Sequence, residues 1–502
     1  MDWISTTITP IFAKLIALLT YTPAEPMIFS SGVFLFLFTA FVLIYARLRR
    51  LPTVRIAYVV AFSLYFYYKS SGFYFWLLIF ASVSDHTLAL YIDIVKRQWL
   101  RKALLTLSVV INLGVLIYFK YTNFFIDIAN TISGSSRIQF QDIFLPVGVS
   151  FFVFQSLSYT IDIYRRKLKP LENWLDYLFY LSFFPQLVAG PIVRATDFIP
   201  QIRKPLYVSK KMFGGAIFLI VSGLFKKAVI SDYISLNFVD RIFDDPLLYS
   251  GLESLMAIYG YALQIYCDFS GYSEMAIGIA LLLGFHFPPN FDAPYKSATI
   301  TEFWRRWHIS LSSWLRDYLY ISLGGNRKGQ KRTYINLMIT MLLGGLWHGA
   351  AVRFILWGGL HGLALALHKA WMTAFPSAKM LGCDMNPIIR IFSTLFTFHV
   401  VCLGWLLFRA ESMQTVTLML SQIFTNFNGS LAPQMLLGYS EVFALMAIGY
   451  TLHFLPKSFS DTARTAITKS SLPLQIALVA MTIWLVMQVK SSDIQPFIYF
   501  QF

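Results

Sequence analysis

The sequence predicts an all-α, polytopic membrane protein of roughly 11 to 13 transmembrane or re-entrant helices. Three observations carry this. Of its 502 residues 57% are hydrophobic and only 13% charged, against about a quarter charged in ordinary soluble domains, and the mean hydropathy is +0.60. Apolar runs of the roughly 17 to 25 residues that cross a hydrocarbon core of about 30 Å recur along the whole chain, leaving no space for a large soluble domain. Lys and Arg stand in short clusters between those runs, as the positive-inside rule requires. The net charge of +16 therefore reports topology and not nucleic-acid binding.

Taken in order, spans are expected at 28–46, 54–68, 73–95, 103–119, 144–164, 213–235, 252–284, 334–349, 352–372, 391–408, 440–455 and 473–489. The clusters Arg47, Arg49, Arg50, Arg55, then Lys96, Arg97, Arg101, Lys102, then Arg165, Arg166, Lys167, Lys169, then Arg203, Lys204, Lys210, Lys211 mark cytoplasmic loops. For them to share one side, 174–190, interrupted by Pro185, Gly190 and Pro191, has to enter and return as a re-entrant hairpin, which survives where protein buries it. The same parity makes 285–333 cytoplasmic, with Lys296, Arg305, Arg306, Arg316, Arg327 and Lys328 in agreement, and puts the tail after 490 outside. Three parts follow: an N-terminal extension 1–26, one membrane domain 27–490, and an extracytoplasmic tail 491–502. The extension lacks the basic n-region and cleavage site of a signal peptide, and residues 8–20 are expected as a short interfacial or extra helix. Cys267, Cys383 and Cys402 have no metal or CxxC spacing and are expected to be packing residues.

Charge, aromatics and histidines crowd into 302–348. Placed on a helix, 304–318 puts Trp304, Trp307, His308, Leu311, Trp314, Leu315 and Tyr318 on one face and Arg305, Arg306, Ser313, Arg316 and Asp317 on the other, an interfacial helix rather than a span. Its arginines either snorkel to anionic headgroups or bind an anionic donor. His308, on the aromatic face, is either a buried, hydrogen-bonded core residue or a site residue. His348 differs. With the next helix starting near Tyr334, 14 residues at about 1.5 Å each carry His348 about 21 Å into the membrane, and an ionisable residue at that depth is a functional candidate by default. Gly344, Gly345 and Gly349 beside it permit close helix approach or a helix break. A histidine near its reference pKa of about 6.5 can take a proton from an attacking hydroxyl, so hydroxyl acylation is chemically reasonable.

Other chemistry finds less support. None of the eight histidines forms an HExxH pair, and only His361 and His368 lie within seven residues of each other, so no metal is expected. No P-loop is present, and Gly324-Gly325-Asn326 marks a turn. Asp268 and Glu274, in Gln264-Ile-Tyr-Cys-Asp-Phe-Ser-Gly-Tyr-Ser-Glu, are costly to bury unless paired. They are either structurally paired, with Arg or Tyr, or line a polar substrate route.

Six stretches together resemble the membrane-bound O-acyltransferases, in the bacterial branch of alginate O-acetylation, peptidoglycan O-acetylation and teichoic acid D-alanylation. They are Met27-Ile-Phe-Ser-Ser-Gly, Pro146-Val-Gly-Val-Ser-Phe-Phe, Phe184-Pro-Gln-Leu-Val-Ala-Gly-Pro-Ile, Tyr266-Cys-Asp-Phe-Ser-Gly-Tyr-Ser, Phe303-Trp-Arg-Arg-Trp-His-Ile-Ser-Leu-Ser and Leu346-Trp-His-Gly. The resemblance runs from Met27 to Phe502 and is closest to the alginate type. It implies a fold around a central tunnel, with His348 at the family's essential histidine and His308 at its second polar position. Trp304, Arg305, Trp307, Asp317, Trp347 and Asp268 are then expected to contact substrate. No bound cofactor is implied, but an acyl thioester, acetyl-CoA or an acyl-carrier protein, serves as co-substrate from the cytoplasm.

The ending Phe497-Ile-Tyr499-Phe-Gln-Phe502 is, from composition, an aromatic membrane anchor. It is also similar to the Phe-x-Tyr-x-x-Phe ending of this branch, and that resemblance implies Tyr499 as a transient acyl carrier. The expectation is thus a two-step relay in the inner membrane of a bacterium. Acyl passes from thioester to Tyr499 with His348 as base, then through an extracytoplasmic SGNH-type partner acyltransferase to a polysaccharide, with membrane lipids surrounding the protein. Direct one-step transfer, a transporter and a secretion scaffold are the rivals.

Overall fold

In the computed structural model, residues 19–23, 26–188, 190–375 and 386–489 are described, and among them the chain is helical throughout, without a strand. Among the described residues five helical stretches are long and apolar enough to cross a membrane: Gly32–Arg50, Pro52–Ile94, Gln98–Ser133, Lys210–Asp244 and Pro387–Arg409. A sixth candidate is the pair Gly429–Gly438 and Ser440–Phe454, bent by 95° at their junction. The other helices are shorter or more polar. The extension before Leu19, the tail after Val489 and Cys383 lie outside the described residues, while Cys267 and Cys402 are buried free thiols, as packing residues would be.

The chain divides into two compact units. The first comprises residues up to Phe213 together with Ile279–Phe287. Ser31 caps the Gly32–Arg47 helix by accepting from Phe34 N–H at 3.3 Å, and Pro52 opens the Pro52–Ser71 helix, where its missing N–H costs nothing. Phe34, Phe38, Phe41, Phe62 and Phe66 gather around Phe184, with ring centroids as close as 4.3 Å for Phe41 and Phe62. A polar knot lies among the helices of this unit. The buried Asp85 carboxyl accepts from Ser108 Oγ at 2.6 Å, Asn112 Nδ2 at 2.8 Å, and Ser156 Oγ, so its oxygens are satisfied without a cation.

The expected re-entrant segment breaks at Phe183, between the helices Trp174–Ser182 and Phe184–Leu187. Protein buries it from Asp176 to Val188. Its freed backbone is met by side chains: Phe184 N–H donates to Ser63 Oγ at 3.2 Å, and Gln186 Nε2 to Tyr180 O at 2.5 Å. Irregular backbone at membrane depth is tolerated only under such cover.

The second unit holds Gly214–Gly278 and the chain from Pro288. It contains the π-helical turns Phe225–Ser231 and Ser235–Val239 and all but the last four residues of the 32-residue helix Gly251–Leu282. Helices Gly329–His348 and Val352–Ala374 meet backbone to backbone, because a Cβ on Gly345 would lie 2.2 Å from the Phe354 carbonyl oxygen. Small residues give membrane helices this approach.

Candidate active site

Residues 304–318 do not form the single interfacial helix that periodicity predicts. They fold as Ile300–Arg306, a break, Ile309–Trp314 and a π-helical turn Leu315–Tyr320. The break sits on His308, whose φ of +41° lies in the left-handed region. Asn290 makes it possible. Its backbone carbonyl accepts from Ile309 N–H at 2.9 Å, and its Oδ1 accepts from Ser310 N–H at 3.1 Å and Ser310 Oγ–H at 2.8 Å, so the second helix begins with donors satisfied from another part of the chain. The predicted apolar set is nevertheless the buried one: Trp307, His308, Leu311, Trp314, Leu315 and Tyr318 are all buried, with Trp304 half-buried.

The same contact fixes a proton. Ser310 N–H can only donate, so the Asn290 atom facing it is the oxygen, and His308 Nδ1, 3.2 Å from that oxygen, carries the hydrogen. The lone pair of the neutral imidazole is then on Nε2. The amide is held in turn by Nδ2, which donates to Ser273 Oγ at 3.1 Å. His308 is fully buried, edge-on to Phe269 at 4.6 Å and 6.3 Å from Trp347 between ring centroids.

His348 is the last residue of the Gly329–His348 helix. Gly349 leaves it in extended backbone, where a Cβ would lie 1.9 Å from the Phe354 ring, so chain and aromatic packing turn together at this point. The imidazole is buried and meets Trp347, Trp357 and Phe408 edge to face at 4.9, 5.0 and 5.2 Å. Trp347 thus touches both histidines. Trp304 packs on Trp357 at 5.7 Å and on His361 at 5.2 Å, and Trp307 packs on Trp405 at 4.7 Å. Trp304, Trp307, His308, Trp347 and His348 therefore share one aromatic cluster.

The charged candidates divide by partner. Arg306 is committed to Glu302 at 3.0 Å and Asp292 at 3.6 Å, whereas Arg305 is exposed. Asp317 takes a two-pronged contact from Arg316 at 2.6 and 3.1 Å. Asp268 lies 2.5 Å from the buried ammonium of Lys227, which also reaches Asp232 at 2.7 Å, and Glu274 lies 2.5 Å from Lys226. The pairing is with lysine, where Arg or Tyr was expected. Tyr499 lies outside the described residues.

Asn290 went unnoticed in the sequence, and His361 and His453 were weighed there only as metal ligands. Asn290 organises the break, and only its place after Pro288-Pro289 in a turn hints at it. His361, fully buried, packs against Phe303 and Trp304 and stands out only as a histidine within an apolar span. His453 Nε2 accepts from Tyr295 N–H at 3.1 Å, a contact no local pattern encodes. Among the described residues no group of His, Cys, Asp and Glu could hold a metal ion. What the cluster offers is a buried imidazole in an apolar, aromatic shell, a setting for accepting a proton away from bulk water.

Residues 62–408, which include both site histidines, match the model of the MBOAT, membrane-bound O-acyltransferase family. The chain is 36% identical over 506 residues to a protein of Pseudomonas putida named "Probable alginate O-acetylase", an alignment covering 95% of this chain and all of that one. It is 37% identical over 384 residues to the peptidoglycan O-acetyltransferase of Helicobacter pylori, covering 71% of each, and 28% identical over 282 residues to the teichoic acid D-alanyltransferase of Bacillus subtilis, covering 53% of this chain and 69% of that one.

Proposed function

The chain belongs to the membrane-bound O-acyltransferase family, and from that premise we propose that this multi-pass membrane O-acyltransferase moves an acetyl group from a cytoplasmic thioester, through Tyr499, toward a polysaccharide outside the inner membrane of a bacterium. The donor is acetyl-CoA or an acyl-carrier protein, and the acceptor is a cell-envelope or secreted polysaccharide. That acceptor class rests on the names of the alginate and peptidoglycan relatives. The observation that carries the mechanism is His348, buried at a helix end within Trp347, Trp357 and Phe408.

In the first step His348 takes the phenolic proton of Tyr499 as that oxygen attacks the thioester carbonyl. A C–O bond forms, the C–S bond breaks, and the leaving thiolate recovers the proton from the imidazolium. Carbonyls left without intrahelical partners at the C-terminal turn favour the transient positive charge. His308, with its hydrogen on Nδ1, keeps Nε2 as a proton acceptor. Trp304, Trp307 and Trp347 wall the reacting groups from water, and Arg305 meets the anionic donor. Asp317, paired with Arg316, and Asp268, paired with Lys227, contact the substrates. An extracytoplasmic SGNH-type partner then transfers the acetyl group from Tyr499 to a sugar hydroxyl.

The test is polymer-bound acetate in cells carrying His348→Ala or Tyr499→Phe at normal membrane levels of the protein. Both variants are expected to lack it. Normal acetylation in either removes that residue from the mechanism, and acetylation that requires His348 while labelled acetate never reaches Tyr499 establishes one-step transfer instead.

A further inference from the structure

The first unit contains a cavity of about 340 Å³ lined by Tyr45, Arg55, Gln201, Lys204, Tyr207 and His286 among others. Among the described residues no aspartate or glutamate lines it. Arg55 is 3% exposed, yet its only protein partners among the described residues are two carbonyls, Ile202 O at 3.3 Å and Lys204 O at 3.2 Å, both reached by Nη2. A buried guanidinium with no carboxylate is an unbalanced charge. It stands in the first turn of the Pro52–Ser71 helix, where unbonded N–H groups add further positive potential. Lys204, exposed at the same cavity, supplies a second cation.

The cavity is built, not incidental. Tyr45 Oη–H donates to Leu283 O at 2.7 Å, and Gln201 bridges to the same loop, with Nε2 donating to His286 O at 3.1 Å and Oε1 accepting from His286 N–H at 2.8 Å. These three bonds hold the Leu283–His286 wall in place. Gly284, at φ +84°, makes the turn within it.

We propose that this cavity binds the phosphate headgroup of an anionic phospholipid, with Arg55 and Lys204 as its cations. Two features favour a lipid over a soluble phosphate. At about 30 Å³ per water the cavity holds roughly ten waters, more than one phosphate ion fills and enough for a glycerophosphate headgroup. Its lining also carries apolar surface, Pro205, Leu206, Met212 and Phe285, beside Tyr207, which is 74% exposed, giving an acyl chain a surface to follow. The basic clusters around Arg55 and Lys204 are those the charge pattern assigns to the cytoplasmic leaflet, where anionic lipid attracts them.

The experiment uses the full chain in nanodiscs of phosphatidylcholine containing a minor fraction of either phosphatidylglycerol or phosphatidylethanolamine, with retained lipid counted by native mass spectrometry. Wild type is expected to retain phosphatidylglycerol selectively. Arg55→Gln removes a charge-assisted contact and is expected to weaken retention at least about tenfold, and Lys204→Gln, on the surface, a few-fold. Arg55→Lys, which keeps the charge but not the fork, is expected to fall between them and controls for folding. Equal retention of the two lipids overturns the proposal, as does unchanged retention in both Arg55→Gln and Lys204→Gln. Displacement of the lipid by free coenzyme A or inorganic phosphate reassigns the cavity to a soluble phosphate and overturns it equally.

Discussion

Replacing Asn290 with alanine removes the side chain that lets the helix restart after His308. Asn290 is 1% exposed, and its Oδ1 serves Ser310 N–H, Ser310 Oγ–H and His308 Nδ1–H at 3.1, 2.8 and 3.2 Å. The backbone carbonyl bond to Ile309 survives the change, but Ser310 N–H and His308 Nδ1–H both lose their Oδ1 acceptor, Ser310 Oγ standing 3.5 Å from Nδ1. Losing the acceptor of a buried donor costs about 1–3 kcal/mol, so the two losses cost up to about 2–6 kcal/mol. Ser310→Ala removes a single neutral hydrogen bond, about 1 kcal/mol, and is the comparison. Equilibrium unfolding in lipid–detergent micelles, followed by the fluorescence of the buried tryptophans, measures both, and polymer acetylation measures the consequence for His308. Asn290→Ala is expected to be the less stable and less active variant by a clear margin. If it unfolds no more readily than Ser310→Ala, the amide is not what holds the break.

Further outcomes follow from the packing and the charges. Gly345→Ala puts a methyl about where the Phe354 carbonyl oxygen is, forcing two helices apart at a cost of about 1–3 kcal/mol, and is expected to lower the yield of folded protein extracted from membranes. Lys227→Met leaves Asp268 and Asp232 without their shared cation, a loss of about 3–5 kcal/mol, and the double variant with Asp268→Asn is expected to recover part of it in the same unfolding assay. Arg305→Gln is expected to raise the KM for the proposed thioester donor a few-fold with kcat unchanged, consistent with an exposed charge contact of about 0.2–1 kcal/mol. Arg306→Gln, which loses Glu302 and Asp292, lowers expression instead.

The buried setting of His348 was legible in the sequence because its signal is one of environment: an ionisable side chain far into an apolar run, between glycines that permit close approach or a break. Gly345 gives the close approach and Gly349 the break. The buried set of 304–318 was legible too, since helical periodicity selects the same side chains whether or not the axis is continuous. The break was not. A left-handed residue leaves no mark in hydrophobic spacing, and its partner, Asn290, lies 18 residues upstream in sequence. Arg55 shows a different limit. In sequence it is one more member of a basic cluster that sets topology, and only three-dimensional packing separates this buried guanidinium from the exposed Arg49 and Arg50. The lysine partners of Asp268 and Glu274 were hidden likewise, because pairing across helices depends on register that local sequence does not specify.

The left-handed backbone at His308 bears on how any substitution there is to be interpreted. An L-residue other than glycine, asparagine or aspartate gives up about 1–2 kcal/mol to hold that conformation, so His308→Ala or His308→Gln mixes loss of an imidazole with relaxation of the chain that aims it. A drop in acetylation from either variant cannot be credited to proton chemistry alone. Asparagine tolerates the same dihedral angles, and His308→Asn therefore deletes the ring while leaving the hinge in place. The difference between alanine and asparagine at this one position measures how far the site depends on backbone shape, and what asparagine still lacks measures the imidazole.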